Sequence, residues 1–174
     1  MKKNTSIGLA MLIALSSSAT FAEEYTGTAQ IASAKLKDVD DRGITAIASG
    51  AMKLDDYIDM EGFSAEAEIS KSITSPSYSI GNNSIDISYW SLGGYGAYTY
   101  PVNDEISVKG RLGLVYISTE ASSGGFSNDD SSTELAFGVT GSYAFKDDMN
   151  IIAEFTKIDE LSHIGIGVAI PFEM

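Results

Sequence analysis

The sequence predicts an all-β chain, closed as an eight-stranded antiparallel up-and-down transmembrane β-barrel after a cleaved signal peptide. Three observations carry this expectation: an export-type N-terminus, eight segments of period-two alternation, and connections that switch between short and long. No later stretch reaches the roughly 18 consecutive apolar residues of a membrane helix. A membrane-embedded form must therefore be a closed barrel, because only closure pairs every backbone group.

Residues 1–22 read as the signal peptide. Lys2 and Lys3 make a positive start, Ile7 to Leu15 (IGLAMLIAL) is a short apolar core, and Thr20-Phe21-Ala22 places small residues before Glu23. No cysteine stands at that point, so a lipid anchor is not expected. Residues 23–174 form the expected barrel domain, with 9 basic against 24 acidic residues, a charge of −15. Nucleic acid calls for a basic surface and is excluded as a partner. With no cysteine and one histidine, disulfides are absent and a structural zinc site has no ligand set. No cofactor or metal is expected.

The strands follow in order. YTGTAQIASAKL (25–36), GITAIASGAMKL (43–54), MEGFSAEAEISKSI (60–73) and SIDISYWSLGGYGAYTYPV (84–102) make the first half. ISVKGRLGLVYIS (from 106 to about 119), TELAFGVTGSYAF (133–145), MNIIAEFTKI (149–158) and HIGIGVAIPF (163–172) make the second. No window repeats apolar residues at helical spacing. The turns 55–59, 103–105 and 146–148 are short and rich in Asp and Asn, which turn cheaply. The connections 37–42, 74–83, 120–132 and 159–162 are mostly longer and alternate with them. Short periplasmic turns and longer outward loops are the asymmetry of a bacterial outer-membrane barrel.

The facing is read from the fifth strand. Ile106, Val108, Leu112, Leu114 and Tyr116 share one side, and Ser107, Lys109, Arg111 and Gly113 the other. In a soluble sheet the apolar row is the core, and a periplasmic barrel with a greasy interior is the alternative fold. In an outer-membrane barrel the apolar row meets lipid and the charges point inward. The expected lumen charges are Lys53, Lys109 and Arg111 against Glu66, Glu68, Glu134 and Glu154. In a barrel only wide enough for side chains, such charges must pair or cost several kcal/mol. Tyr98, Tyr100, Tyr143, Phe145 and Phe172 form the expected aromatic girdle toward the periplasm. The fourth strand is ambiguous, since Tyr89, Trp90 and Tyr95 fall on both parities.

HIGIGVAIPF resembles the closing strand of outer-membrane proteins, alternating and ending on an aromatic. GGYGAYTYPVNDEISVKGRLGLVYIS and GVTGSYAFKDDMNIIAEFTKI repeat one plan: Gly-rich strand, aromatic, short turn, amphipathic strand. The whole mature segment resembles the small eight-stranded barrels of the OmpA/OmpX-like, porin-family group. The resemblance implies the outer membrane of a Gram-negative-type cell envelope, with its lipid bilayer and the barrel-assembly machinery as partners and a monomer as the simplest state. Glu173 and Met174 follow Phe172, where the family's closing strand usually stops at the aromatic. No peptidoglycan-binding domain is appended, so cell-wall anchoring is not implied.

The remaining chemistry is thin. DELSHIG (159–165) sets Asp159, Ser162 and the single histidine, His163, at the outer rim, but neighbours in a strand face opposite ways, so no catalytic residue is expected. GGYGAY (93–98) lacks the following helix of a phosphate loop. Asp38, Asp40, Asp41, Asp129 and Asp130 match no calcium-loop spacing. Tyr78 and Phe126 are candidate contact residues in the outward loops. The expected function is a non-enzymatic outer-membrane protein with a structural or surface role. A narrow channel, an adhesin or partner-binding barrel, and a rim-located lipid-modifying enzyme are the alternatives.

Overall fold

The computed structural model describes residues 24–37, 41–74, 77–80, 83–123, 126–146 and 149–173; the expected signal peptide lies outside them. The chain runs β1 (Glu24–Leu36), β2 (Arg42–Lys53), a helical turn α1 (Asp55–Ile58), β3 (Phe63–Thr74) and β4 (Ser77–Ile80). It continues through β5 (Asn83–Pro101), β6 (Ile106–Ser123), β7 (Phe126–Lys146), β8 (Met149–Ile158) and β9 (Leu161–Glu173). Every pairing is antiparallel, β1 closes against β9, and β3 pairs β5. The result is a closed barrel of eight strands. The short β4 pairs only with β5 and carries the line of β3 outward.

Closure is staggered. The register row that starts at Tyr25 passes Met52, Ala65, Gly96, Leu112, Phe137, Lys157 and Ser162, then re-enters β1 at Lys35. One circuit thus climbs ten residues of β1 (35 less 25). At about 3.3 Å per residue and about 4.8 Å between strands, that stagger tilts the strands by about 40°.

The alternation resolves into an apolar outside and a mixed inside. On β6, Leu112 and Leu114 are 57% and 60% exposed, whereas Arg111 is 4% and Val115 0%. Ile31, Leu135, Phe137, Ile164 and Ile166 also stand on the outer wall. The exterior is thus the greasy face, and Glu66, Glu68, Arg111 and Glu154 are enclosed.

Two expected outward loops are largely strand. β4 occupies part of 74–83, and β6 and β7 stay in register from Tyr116 to the Ser123–Phe126 pair, absorbing most of 120–132. Ser- and Thr-rich segments tolerate extended backbone, and continuing the ladder satisfies amides that a free loop would leave to water. Tyr78 and Phe126 therefore sit on strands. At the other end α1 tightens the β2–β3 turn. Asp55 Oδ1 accepts the Gly62 amide at 2.9 Å, and Asp59 takes a left-handed φ of 44°.

Candidate functional site in the barrel lumen

The lower and middle lumen is built around Arg111. Period two turns Lys109 and Arg111 of β6, Glu66 and Glu68 of β3, and Glu154 of β8 inward. The Arg111 guanidinium donates from Nη1 to Glu68 Oε2 at 2.6 Å and from Nη2 to Glu154 Oε1 at 2.5 Å. Nη2 also reaches Thr156 Oγ1 at 2.7 Å, and Thr140 Oγ1 donates to Glu154 Oε2 at 2.8 Å. Lys109 Nζ meets Glu66 Oε1 at 2.5 Å, and Glu66 Oε2 lies 3.6 Å from Arg111. Three carboxylates thus face two cations in a space where only paired charge is tolerable.

Small residues make the room. The guanidinium lies 4.3 Å over the Tyr95 ring, and the Tyr95 hydroxyl donates to Glu68 Oε1 at 3.3 Å. A Cβ on Gly138 would fall 2.8 Å from Arg111 Nε, and one on Gly113 would fall 2.7 Å from Tyr95 Cδ1. The large side chains of the plug therefore lean on bare backbone opposite, the small-against-large filling of a narrow barrel.

Two of the residues expected in the network stand apart. Lys53 ends β2 at the mouth on the short-turn side, where it pairs with Glu24 and both are half exposed. Glu66 is its diagonal neighbour on β3, but Glu66 is taken by Lys109 and Lys53 pairs with Glu24 instead. Glu134 is half-buried in the opposite, upper half, beside Tyr89, Ile117 and Ile158. Five of the seven named charges come together.

The upper lumen is apolar. Val115, Ile117, Ala136, Ile158, Leu161, Ala34 and Tyr89 pack as one buried cluster. Beside it the Tyr89 hydroxyl bridges Thr45 Oγ1 at 2.5 Å and His163 Nε2 at 2.7 Å, with the tyrosine and histidine rings stacked 5.9 Å apart. His163 is 2% exposed, a lumen residue and not the expected rim histidine; it stands two residues inside β9 and faces inward, while Ser162 donates outward to the Lys35 carbonyl oxygen. Sequence reasoning also left Tyr89 and Tyr95 unassigned. Counting parity back along β5 from the outward Tyr98 and Tyr100 turns both inward and Trp90 outward.

The five girdle residues Tyr98, Tyr100, Tyr143, Phe145 and Phe172 are all exposed on the outer wall toward the short turns. Tyr25 stacks on Phe172, and at the far end Trp90 packs against Tyr116. Among the described residues no group of three His, Cys, Asp or Glu side chains is placed to hold a metal.

A closed barrel with a lipophilic wall and ionic plug is the form of an outer-membrane β-barrel protein. The chain belongs to the outer membrane protein beta-barrel domain family, whose model matches residues 7–169. No curated protein matches it in sequence. Ail, the attachment invasion locus protein of Yersinia pestis, is similar at 17% identity and a TM-score of 0.55, over 87% of this chain and 99% of that one. Neisserial surface protein A is similar at 15% identity and a TM-score of 0.60, over 86% and 97%. The N-terminal barrel of Pseudomonas aeruginosa OprF follows at 9% and 0.57, over 84% and 97%. At these identities the likeness is one of fold. The protein resides in the outer membrane.

Proposed function

We propose that the chain is a non-enzymatic surface barrel whose outward hairpins are its working parts, with the packed lumen holding them rigid. The observation that carries this reading is the ladder of β6 and β7, which runs unbroken past Tyr116 to the Ser123–Phe126 pair. A hairpin paired to its tip presents side chains at low entropic cost, because its backbone is ordered before any partner arrives. The buried Arg111 cluster beneath it argues against free passage of solutes. Ser162 and His163 face opposite sides of β9, which argues against a rim hydrolase. In this reading the monomer is inserted by the barrel-assembly machinery, and no nucleic acid takes part. Tyr98, Tyr100, Tyr143, Phe145 and Phe172 sit at the periplasmic interface, with Trp90 and Tyr116 at the outer one.

The test has two arms. Asp129→Cys should react with a membrane-impermeant maleimide on intact cells, and purified protein in planar bilayers should show no stepwise conductance. An unreactive cysteine, or steady unit conductance, refutes the reading.

A further inference from the structure

The outer mouth of the lumen is stepped. β8 stops pairing with β7 at Ala136–Ile158 and turns at Asp159–Glu160, whereas β7 runs on against β6 to the Ser123–Phe126 pair. The step leaves a cavity of about 160 Å³, rimmed by the exposed Asp130, Asp159 and Glu160. Tyr89, Ile117, Ile158 and Leu161, all buried, form its apolar side. At about 30 Å³ per liquid water, it has room for a chain of roughly five or six heavy atoms.

The second observation is an unmatched carboxylate. Glu134 lines this cavity with inward parity, half-buried, as the register partner of the fully buried Val115. Among the described residues no ion pair or hydrogen bond reaches its carboxylate. A charge against an aliphatic wall costs free energy until a cation or donor meets it. Deeper in the lumen Glu66, Glu68 and Glu154 all have such partners. The chain has no cation left for Glu134. Lys109 and Arg111 serve the plug, Lys53 pairs with Glu24, and Lys37, at the same mouth, pairs with Glu160 at 3.3 Å. Lys35, Arg42, Lys71 and Lys157 have outward parity, and Lys146 ends β7 on the short-turn side. Residues 38–40, 75–76, 81–82, 124–125 and 147–148, outside the described set, contain neither Lys nor Arg.

We propose that the outer mouth of the lumen binds a short aliphatic ammonium ion, its alkyl chain laid on Tyr89, Ile117, Ile158 and Leu161 and its charged head on Glu134. Charge selects the ammonium over an alcohol of the same shape, and the small volume selects an unbranched chain. The contacts are noncovalent. The site lies above the Arg111 cluster and does not depend on what the hairpin tips touch, so it stands apart from the surface role.

Pentylammonium is the probe, and 1-pentanol its uncharged counterpart. Each is titrated into the protein folded in lipid nanodiscs, with the isoleucine and leucine methyl groups carbon-13 labelled and read by NMR. Pentylammonium should shift the Ile117, Ile158 and Leu161 signals saturably, while the outward Ile31 and Ile164 signals stay in place. Pentanol should need about tenfold more for the same shift, the worth of one charge-assisted contact. Glu134→Gln keeps the shape of the site and, with heat-modifiable migration intact, should raise the pentylammonium midpoint about tenfold and leave that of pentanol unchanged. Equal midpoints for amine and alcohol in the unaltered protein overturn the proposal, as does an amine midpoint that Glu134→Gln does not move. The absence of any shift at Ile117, Ile158 and Leu161 overturns it too, and so do shifts shared by Ile31 and Ile164, the mark of partition into the bilayer.

Discussion

The two halves of the lumen solve the same packing problem with opposite chemistry. Around Arg111 the space is filled by three carboxylates and two cations, locked by Thr140, Thr156 and Tyr95. Around Val115 of β6 and Ile158 of β8, nearer the outer rim, the filling is aliphatic with a single Tyr89–His163–Thr45 chain beside it. An apolar plug excludes water and leaves few groups to satisfy, and each side chain contributes independently. An ionic plug is conditional, because every member depends on the others for its solvation. The upper half should therefore degrade gradually under substitution, and the lower half abruptly.

The largest expected effect tests that conditionality. Arg111→Met leaves Glu68 and Glu154 without a cation and should cost about 3–5 kcal/mol. Urea unfolding in lipid vesicles, followed by Trp90 fluorescence, measures it. Adding Glu68→Gln should recover part of the loss, and a purely additive double variant would contradict a coupled cluster. Next is Leu112→Lys, one residue from Arg111 but facing the bilayer. It should cost about 2–4 kcal/mol in the same assay. A lysine tolerated at 112 would undo the facing on which the contrast rests.

In the upper half, Ile158→Ala removes a fully buried side chain and should cost about 2–3 kcal/mol. Adding a second upper-lumen truncation far from residue 158 should change stability additively, unlike the Arg111 pair. Tyr89→Phe is smaller. It strips the shared hydroxyl from Thr45 and His163 and should lower stability by about 1–2 kcal/mol, seen as an earlier loss of the compact band on heating gels. Smallest is Lys53→Ser. Its ion pair with Glu24 is half exposed at the mouth, so the change should stay within about 1 kcal/mol. A larger loss would place Lys53 in the cluster after all.

How far each half was legible follows from its pattern. Lys109, Arg111, Glu66, Glu68 and Glu154 stand out because charges interrupt otherwise apolar strands at period two. Val115, Ile117, Ile158 and Leu161 carry no such mark: apolar residues on the inner row look like the outer row, and the alternation blurs where both faces are greasy. His163 was misplaced for a related reason. Its neighbours Asp159 and Ser162 suggest a turn, but β9 already begins at Leu161. The hairpin of β6 and β7 was hidden because Ser, Asn and Asp favour turns locally, and only the paired ladder extends them.

Alternation is local, so the sequence by itself determined the number of barrel strands, which residues share a row, and the even count that puts the short turns on one side. Partnership is not local. Lys109 meets Glu66 and Arg111 meets Glu154, each pair two strands apart, because closure steps the register ten residues along β1 in one circuit. That stagger sets the height of every inward side chain. It exists only once the first strand has met the last, and the tertiary structure alone decided it.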